Sequence, residues 1–164
     1  TLTFNVGSAE SNGVEFDFTS LITDNWTLSG AASFLSAELT EDYRRNPSSA
    51  QPDAASGTRL PRVPEVKWNL STRYGFANEW FVQAAYMYTG DSYNDLFGGF
   101  RQKQDAYDIV NASFGLERDN WSAEVYVQNA TDERADIWIN DVNWDERITI
   151  NQPRTFGVRW QQRF

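Results

Sequence analysis

The 164-residue chain contains no cysteine and no histidine. Without cysteine there is no disulfide, no thiolate nucleophile and no zinc–thiolate site. Without histidine the chain lacks the commonest general base and the commonest metal ligand. Positive charge is scarce: 14 Lys and Arg stand against 23 Asp and Glu, for a net charge of -9. Such a surface repels nucleic acid. No Walker loop or dinucleotide fingerprint occurs, and no two carboxylates are set up as a convergent acid/base pair. Glu15 and Asp17 share one strand face and read as lining a lumen. The expectation is therefore a protein that is not an enzyme, with no cofactor and no metal. No apolar run approaches the ~18 residues of a transmembrane helix. That leaves a membrane open, because a barrel strand needs only ~9–11 residues and gives a weak hydropathy signal. No signal peptide opens the chain at Thr1, so its start reads as a cut.

Aromatic residues are abundant: they make up 15% of the chain, with seven Trp and seven Tyr, although the mean hydropathy is -0.60. Many large rings in a polar chain suit a sheet that is apolar on one face only. The last twelve residues carry this pattern clearly. Phe156, Val158, Trp160 and Phe164 fall on one face, with Gln162 the one polar residue among them. Thr155, Gly157, Arg159, Gln161 and Arg163 fall on the other. This is strand periodicity. Thr155, Gly157, Trp160 and Phe164 resemble the last strand of bacterial outer-membrane β-barrels, which ends in Phe and serves as their assembly signal. Gln162 departs from that pattern.

Strand signals recur along the chain. Residues 2–22 read as one long strand, or as two joined by a bulge near Gly7 to Gly13, and Thr23-Asp24-Asn25 as a tight turn. A strand follows from Trp26 to about Leu39. Thr40 to Pro64 is a proline-punctuated loop, too long for an ordinary hairpin connection. Val66 to Phe76 and Trp80 to Tyr88 are strands joined at Ala77-Asn78-Glu79. Asp91 to Lys103 is a second long loop. Tyr107 to Glu117 and a strand opening at Trp121 are joined at Arg118-Asp119-Asn120. Thr131 to Gln152 is a third long loop, within which Ile148-Thr149-Ile150 reads as a strand extension.

Seven strands are thus joined by alternately short and long connections, and each short turn is followed at once by tryptophan: Trp26, Trp80 and Trp121. In a meander, alternate turns lie at one end of the sheet. The three indoles therefore share one rim, as an aromatic girdle at a membrane interface requires. Short turns at one end and long loops at the other is the asymmetry of outer-membrane barrels. At ~3.4 Å per residue and a tilt of ~45°, the strand from Trp26 to Leu39 rises roughly 34 Å, enough for the ~25 Å apolar band. The predicted fold class is all-β: an antiparallel up-and-down meander forming a partial transmembrane β-barrel, about seven strands of a larger one.

Four stretches carry a further resemblance: Asn12-Gly13-Val14-Glu15-Phe16, Leu60-Pro61-Arg62-Val63-Pro64, Val127-Gln128-Asn129-Ala130-Thr131-Asp132 and Pro153-Arg154-Thr155-Phe156. In their order and spacing the chain resembles the C-terminal β-barrel segment of TonB-dependent outer-membrane receptors, over residues 1–164 and without the plug domain. The resemblance implies a segment of a receptor for active uptake of a scarce nutrient, such as a siderophore, a cobalamin or an oligosaccharide, in the outer membrane of a Gram-negative bacterium. It implies as partners the outer-membrane lipid, the rest of the barrel and its plug, the TonB energy transducer, the barrel-assembly machinery and a small-molecule ligand. Loops carry specificity on rigid barrels, which makes Phe97, Phe100, Trp138 and Trp144 candidate ligand contacts. The acidic loop holding Asp132, Glu133, Asp136, Asp141, Asp145 and Glu146 lacks metal-ligand spacing and reads as a solvated surface. Two other classes stay open: a small self-contained outer-membrane barrel, which would need residues 2–22 to split into two strands, and a soluble aromatic-rich β-sandwich that binds carbohydrate.

Overall fold

A computed structural model of the chain describes residues 7–99, 101–142 and 145–163. The alternating segments form seven long strands: β1 (Ala9–Thr23), β2 (Trp26–Leu39), β3 (Val66–Gly75), β4 (Trp80–Thr89), β7 (Tyr107–Glu117), β8 (Trp121–Gln128) and β11 (Thr155–Gln162). They pair antiparallel in that order in one sheet. Each long strand lies beside the next, so the topology is an up-and-down meander. The second and third long connections, which read as loops in the sequence, carry secondary structure of their own. Each holds a small hairpin: β5 (Ser92–Tyr93) with β6 (Lys103–Gln104), and β9 (Asp136–Val142) with β10 (Asp145–Ile150). Ile148-Thr149-Ile150 lies in β10, as its alternation suggested.

A slip of one residue would move a strand's rings to the opposite face. Here the registers between the long strands keep parity, except at the turn end of β1 where Thr23 pairs with Trp26. One row runs Trp26↔Tyr74↔Val82↔Phe114↔Val125↔Val158. A second runs Phe16↔Ala32↔Trp68↔Tyr88. The neighbouring rows on the other face are polar, such as Thr27↔Arg73↔Gln83↔Ser113↔Tyr126. The alternation of seven separate segments thus becomes one apolar face and one polar face.

Strand β1 pairs with β2 without interruption from Ala9↔Leu39 to Leu21↔Thr27, and its one irregularity lies between Leu21 and Thr23. No bulge forms within residues 9–13; Leu2, Phe4 and Val6, the other part of the strand or strand pair read over residues 2–22, lie outside the described residues. Strands β1 and β11 are the sheet's edges and have no outer partner among the described residues. A barrel closes edges of this length with further strands.

A single sheet layer buries neither face. Large side chains stay open accordingly: Phe16 is 59% and Val158 76% exposed. A buried apolar cluster lies at the long-loop end, where Leu39, Ala54 and Leu96 pack against Tyr43, Leu60 and Phe97. The first long loop returns alongside β2 to build this core, through Leu39 N–H to Thr58 O (3.0 Å) and Leu60 N–H to Ala37 O (2.8 Å). At the opposite end the short turns are tied to each other: Arg118 meets Glu79 at 2.6 Å.

Candidate functional site

The polar face has the chemistry of a wetted wall. Ser29 and Ser71 share a hydroxyl–hydroxyl hydrogen bond of 2.7 Å across β2 and β3. A hollow of about 430 Å³ towards the loop end is lined by Glu15, Asp17, Lys67, Asn69 and Met87 among others. Glu15 and Asp17 thus share one face, as their spacing required. Towards the short-turn end the wall is cross-linked by charge. Arg73 of β3 reaches over β4 to Glu117 of β7 (2.6 Å), with its guanidinium 3.7 Å above the Phe81 ring. Arg159 pairs with Glu124 on the neighbouring strand. Phe81 is 6% exposed although it belongs to the polar face. It is packed under Arg73 and over Gly115, its cross-strand partner.

The three long loops interlock above this wall. Arg59 links the first to the second. Its Nη1 bonds Asp91 Oδ2 at 3.0 Å, and its Nε stands 3.1 Å from Glu65 Oε1, off the line of a hydrogen bond, so that contact is ionic. The Tyr93 ring carries two cations, Arg59 at 5.4 Å and Arg101 at 3.8 Å. Gln104 Nε2 donates to Asp136 O (3.0 Å), joining the second loop to the third. Arg62 of the first loop lies 3.6 Å over the Trp138 ring of the third.

The base of the third loop hangs on Asn129, which is 3% exposed and has φ 50. Asparagine tolerates that left-handed backbone better than most residues. Its Nδ2 donates to Glu133 O and Gln152 O, and its Oδ1 accepts from Glu133 N–H, each at 2.9 Å. Asp132 accepts from Arg154 N–H (2.9 Å), which, with Arg134 beside it, holds its carboxyl below the usual carboxylate range. Asp42 at the base of the first loop is lowered in the same way by Ser56 N–H and Arg44.

On the apolar face, Trp26, Trp80 and Trp121 open β2, β4 and β8 at the short-turn end. The indole of Trp26 donates to Thr72 Oγ1 at 2.7 Å. Trp80 stacks on Phe114 (5.0 Å between centroids) and Trp121 on Trp160 (4.7 Å), with an apolar hollow of about 410 Å³ between the pairs. Nearer the loop end a second aromatic group stands on the same face: Trp68 stacks on Tyr86 (4.9 Å) and Tyr88 (6.0 Å). At ~3.4 Å per residue and a tilt of about 40°, the run from Trp80 to Tyr88 covers roughly 20 Å of height.

Of the loop aromatics singled out in the sequence, Phe97 sits in the loop core, 5.6 Å from Tyr43, and Trp138 is 41% exposed beneath Arg62. Phe100 and Trp144 lie outside the described residues, as does Phe164. Thr155 and Gly157 lie on the polar face of β11 and Trp160 on its apolar face. Sequence reasoning passed over the Trp68–Tyr86–Tyr88 group, Arg62 and Phe81. Their signals were present: aromatics at the loop end of the apolar face, an arginine between two prolines, and a phenylalanine out of step between Trp80 and Val82.

Residues 1–130 match the family described as TonB dependent receptor-like, β-barrel. A 94-residue stretch is 30% identical to the Acinetobacter baumannii protein named "Probable TonB-dependent siderophore receptor PiuA", covering 56% of this chain and 13% of that protein. The ferric yersiniabactin uptake receptor FyuA from Yersinia pestis superposes with a TM-score of 0.76 at 20% identity, over 95% of this chain and 24% of its own. The siderophore receptor PiuA from Acinetobacter baumannii superposes with a TM-score of 0.76 at 22% identity, over 95% of this chain and 22% of its own. The chain therefore spans about a quarter or less of the length of these relatives.

Proposed function

The chain belongs to the TonB-dependent receptor-like β-barrel family, and from that premise we propose that it is the barrel wall and outer loops of an outer-membrane receptor that takes up an iron–siderophore complex in a Gram-negative bacterium. The observation that carries this reading is the match over residues 1–130 joined to a sheet with one mainly apolar face and one mainly polar face. The apolar face meets lipid, with Trp26, Trp80 and Trp121 at the periplasmic interface and Trp68, Tyr86 and Tyr88 at the outer one. The polar face meets the plug that fills the lumen. Trp138 serves as a ligand contact from the third loop, and Phe97 supports the loops from within. Thr155, Gly157, Trp160 and Phe164 form the stretch read by the barrel-assembly machinery. The residues do no bond-making chemistry: the loops capture the ligand, and the TonB transducer supplies the work through the plug.

The test is radioactive iron uptake by the host under iron limitation, with and without the gene, using a panel of ferric siderophores. Loss of uptake of one siderophore class in the deletion strain, restored by the gene and dependent on TonB, supports the reading. Unchanged uptake across the panel refutes siderophore transport.

A further inference from the structure

We propose that the apolar hollow between the Trp80–Phe114 and Trp121–Trp160 stacks holds an acyl chain of one zwitterionic phospholipid from the periplasmic leaflet, with its headgroup bound at the short turns below. The inference rests on the lipid-facing assignment above and is independent of which ligand is taken up. The slot follows from the registers. One row crosses four strands as Trp80↔Leu116↔Ala123↔Trp160. Three strand spacings of ~4.8 Å set the two outer backbones roughly 14 Å apart. Each wall is thickened by its stacked partner, Phe114 on Trp80 at 5.0 Å and Trp121 on Trp160 at 4.7 Å. Between the walls the floor falls to the methyl group of Ala123. The hollow, of about 410 Å³, is also lined by Val125 and Val158, one row further from the turns. Rings on two sides and a low floor give a hydrocarbon chain more dispersion contacts than a flat stretch of the same face.

The turn end of the slot is polar and carries both signs of charge. The turns before Trp80 and Trp121 meet there through Arg118 Nε and Glu79 Oε2, 2.6 Å apart. Glu79 adopts φ 67. That region is unfavourable for its side chain, and such strain persists where the surroundings over-determine it. The ion pair occupies only Nε of the guanidinium. Its two Nη groups have no carboxylate partner among the described residues, and N–H donors in that fork suit a phosphate. Asp119, the next residue of the turn, has no cation partner among the described residues. One cation and two carboxylates at this mouth favour a headgroup with both a phosphate and an ammonium over a purely anionic one. Gln162 stands exposed on the apolar face, paired with Trp121, and sets an amide at the level of the ester groups. It is the residue that departs from the terminal-strand pattern, and an ester contact gives that departure a reason. The indole N–H of Trp26 is taken by Thr72. Those of Trp80 and Trp121 have no acceptor among the described residues and serve the same headgroup.

The experiment uses the full-length receptor extracted in mild detergent, as wild type, Ala123→Phe, Arg118→Gln and Ala32→Phe. Native mass spectrometry counts the retained phospholipid and identifies its headgroup. Ala123→Phe fills the slot. Ala32→Phe makes the same change on the same face, between Phe16 and Trp68 and away from the slot. The wild type is expected to retain phosphatidylethanolamine in preference to phosphatidylglycerol. Ala123→Phe loses it, Arg118→Gln retains roughly 10-fold less, and Ala32→Phe matches the wild type. No retained phospholipid, equal retention in every variant, equal loss in Ala32→Phe, or as much phosphatidylglycerol as phosphatidylethanolamine overturns the proposal. A lipid-free dimer of the wild type also overturns it and assigns the slot to a second copy. The heat-induced gel shift checks that each variant is folded. Where one is not, the wild type alone decides. Phosphatidylethanolamine with a diazirine on its acyl chain is photolysed with the receptor in bilayers. Labelling concentrated on residues 114–125 and 156–160 supports the site. Even labelling along the apolar face overturns this inference alone. No labelling of that face overturns the lipid-facing assignment and this inference with it.

Discussion

Gly157 lies directly under the ring of Tyr126, its register partner on the neighbouring strand. A Cβ on Gly157 would stand 2.4 Å from both Cζ and Oη of Tyr126. The glycine reads in the sequence as part of an assembly signal. In the folded sheet it also has a packing reason: the ring of one strand occupies the space that a side chain on the other would fill. Gly115 repeats the arrangement under Phe81, whose Cζ would meet a Cβ at 2.7 Å. Both pairs are on the polar face, where an aromatic covers the bare backbone of its neighbour.

Gly157→Ala is therefore expected to destabilise the sheet by about 1–3 kcal/mol through overpacking. The midpoint of the heat-induced gel shift of the full-length receptor measures it. Adding Tyr126→Ala removes the clash, and the double variant should lose less than the sum of the two single changes. Additive losses would mean that Gly157 matters for another reason.

Asn129→Ala should release the base of the third loop. The amide makes three hydrogen bonds in a buried position, and its removal leaves carbonyls and an N–H unpaired, at a cost on the order of 2–4 kcal/mol. Because the long strands pair independently of it, the loss stays local. Limited proteolysis within residues 131–152 should quicken while hydrogen exchange in β4 and β7 is unchanged.

Phe81→Ala removes a ring that is 6% exposed beneath Arg73. A cost of about 3 kcal/mol is expected. The bridge from Arg73 to Glu117 spans β4 over this ring, so the Arg73→Ala change should cost less once Phe81 is gone. A double-mutant cycle on thermal midpoints tests the coupling.

Acidification should loosen the loop bases before the sheet. The carboxyls of Asp42 and Asp132 are both held below the usual range, chiefly by backbone N–H donors. A lowered folded value means that their contribution is complete above the unfolded value and is lost as pH falls through the folded one. Protection of the Ser56 and Arg154 amides, taken relative to intrinsic exchange at each pH, is therefore expected to fall as pH drops from neutral towards about pH 3 and below. In Asp132→Asn the Arg154 amide should lose that pH dependence.

These 164 residues hold no cysteine, so single cysteines can be placed on either face of this sheet, with any cysteine elsewhere in the receptor replaced first. Spin labels at Val125→Cys and Val82→Cys, on the apolar face, should be relaxed by oxygen in reconstituted bilayers. Labels at Ser113→Cys and Gln83→Cys, on the polar face, should be relaxed by a water-soluble nickel chelate instead. Equal accessibility of both sets to the nickel chelate would refute the lipid-facing assignment.

Strand identity, direction and facing were legible from residues alone. Alternation in segments such as Val66–Gly75 is a local property of the backbone, with successive side chains on opposite faces. The short turns before Trp26, Trp80 and Trp121 placed those rings on one rim for the same reason, and the meander followed from turn length. The loops were legible as loops, with strand character only at Ile148-Thr149-Ile150. That Phe97 packs into a core with Leu39 and Ala54, that β9 and β10 form a hairpin, and that Arg62 covers Trp138 are contacts between residues far apart in the chain, set by where the sheet brings the loop bases together. Phe81 and Gly157 divide in the same way. The chain alone marks one as out of step and the other as small. Only the pairing of β4 with β7 and of β8 with β11 decides that a ring covers each bare backbone, because close approach depends on register and no single strand carries it.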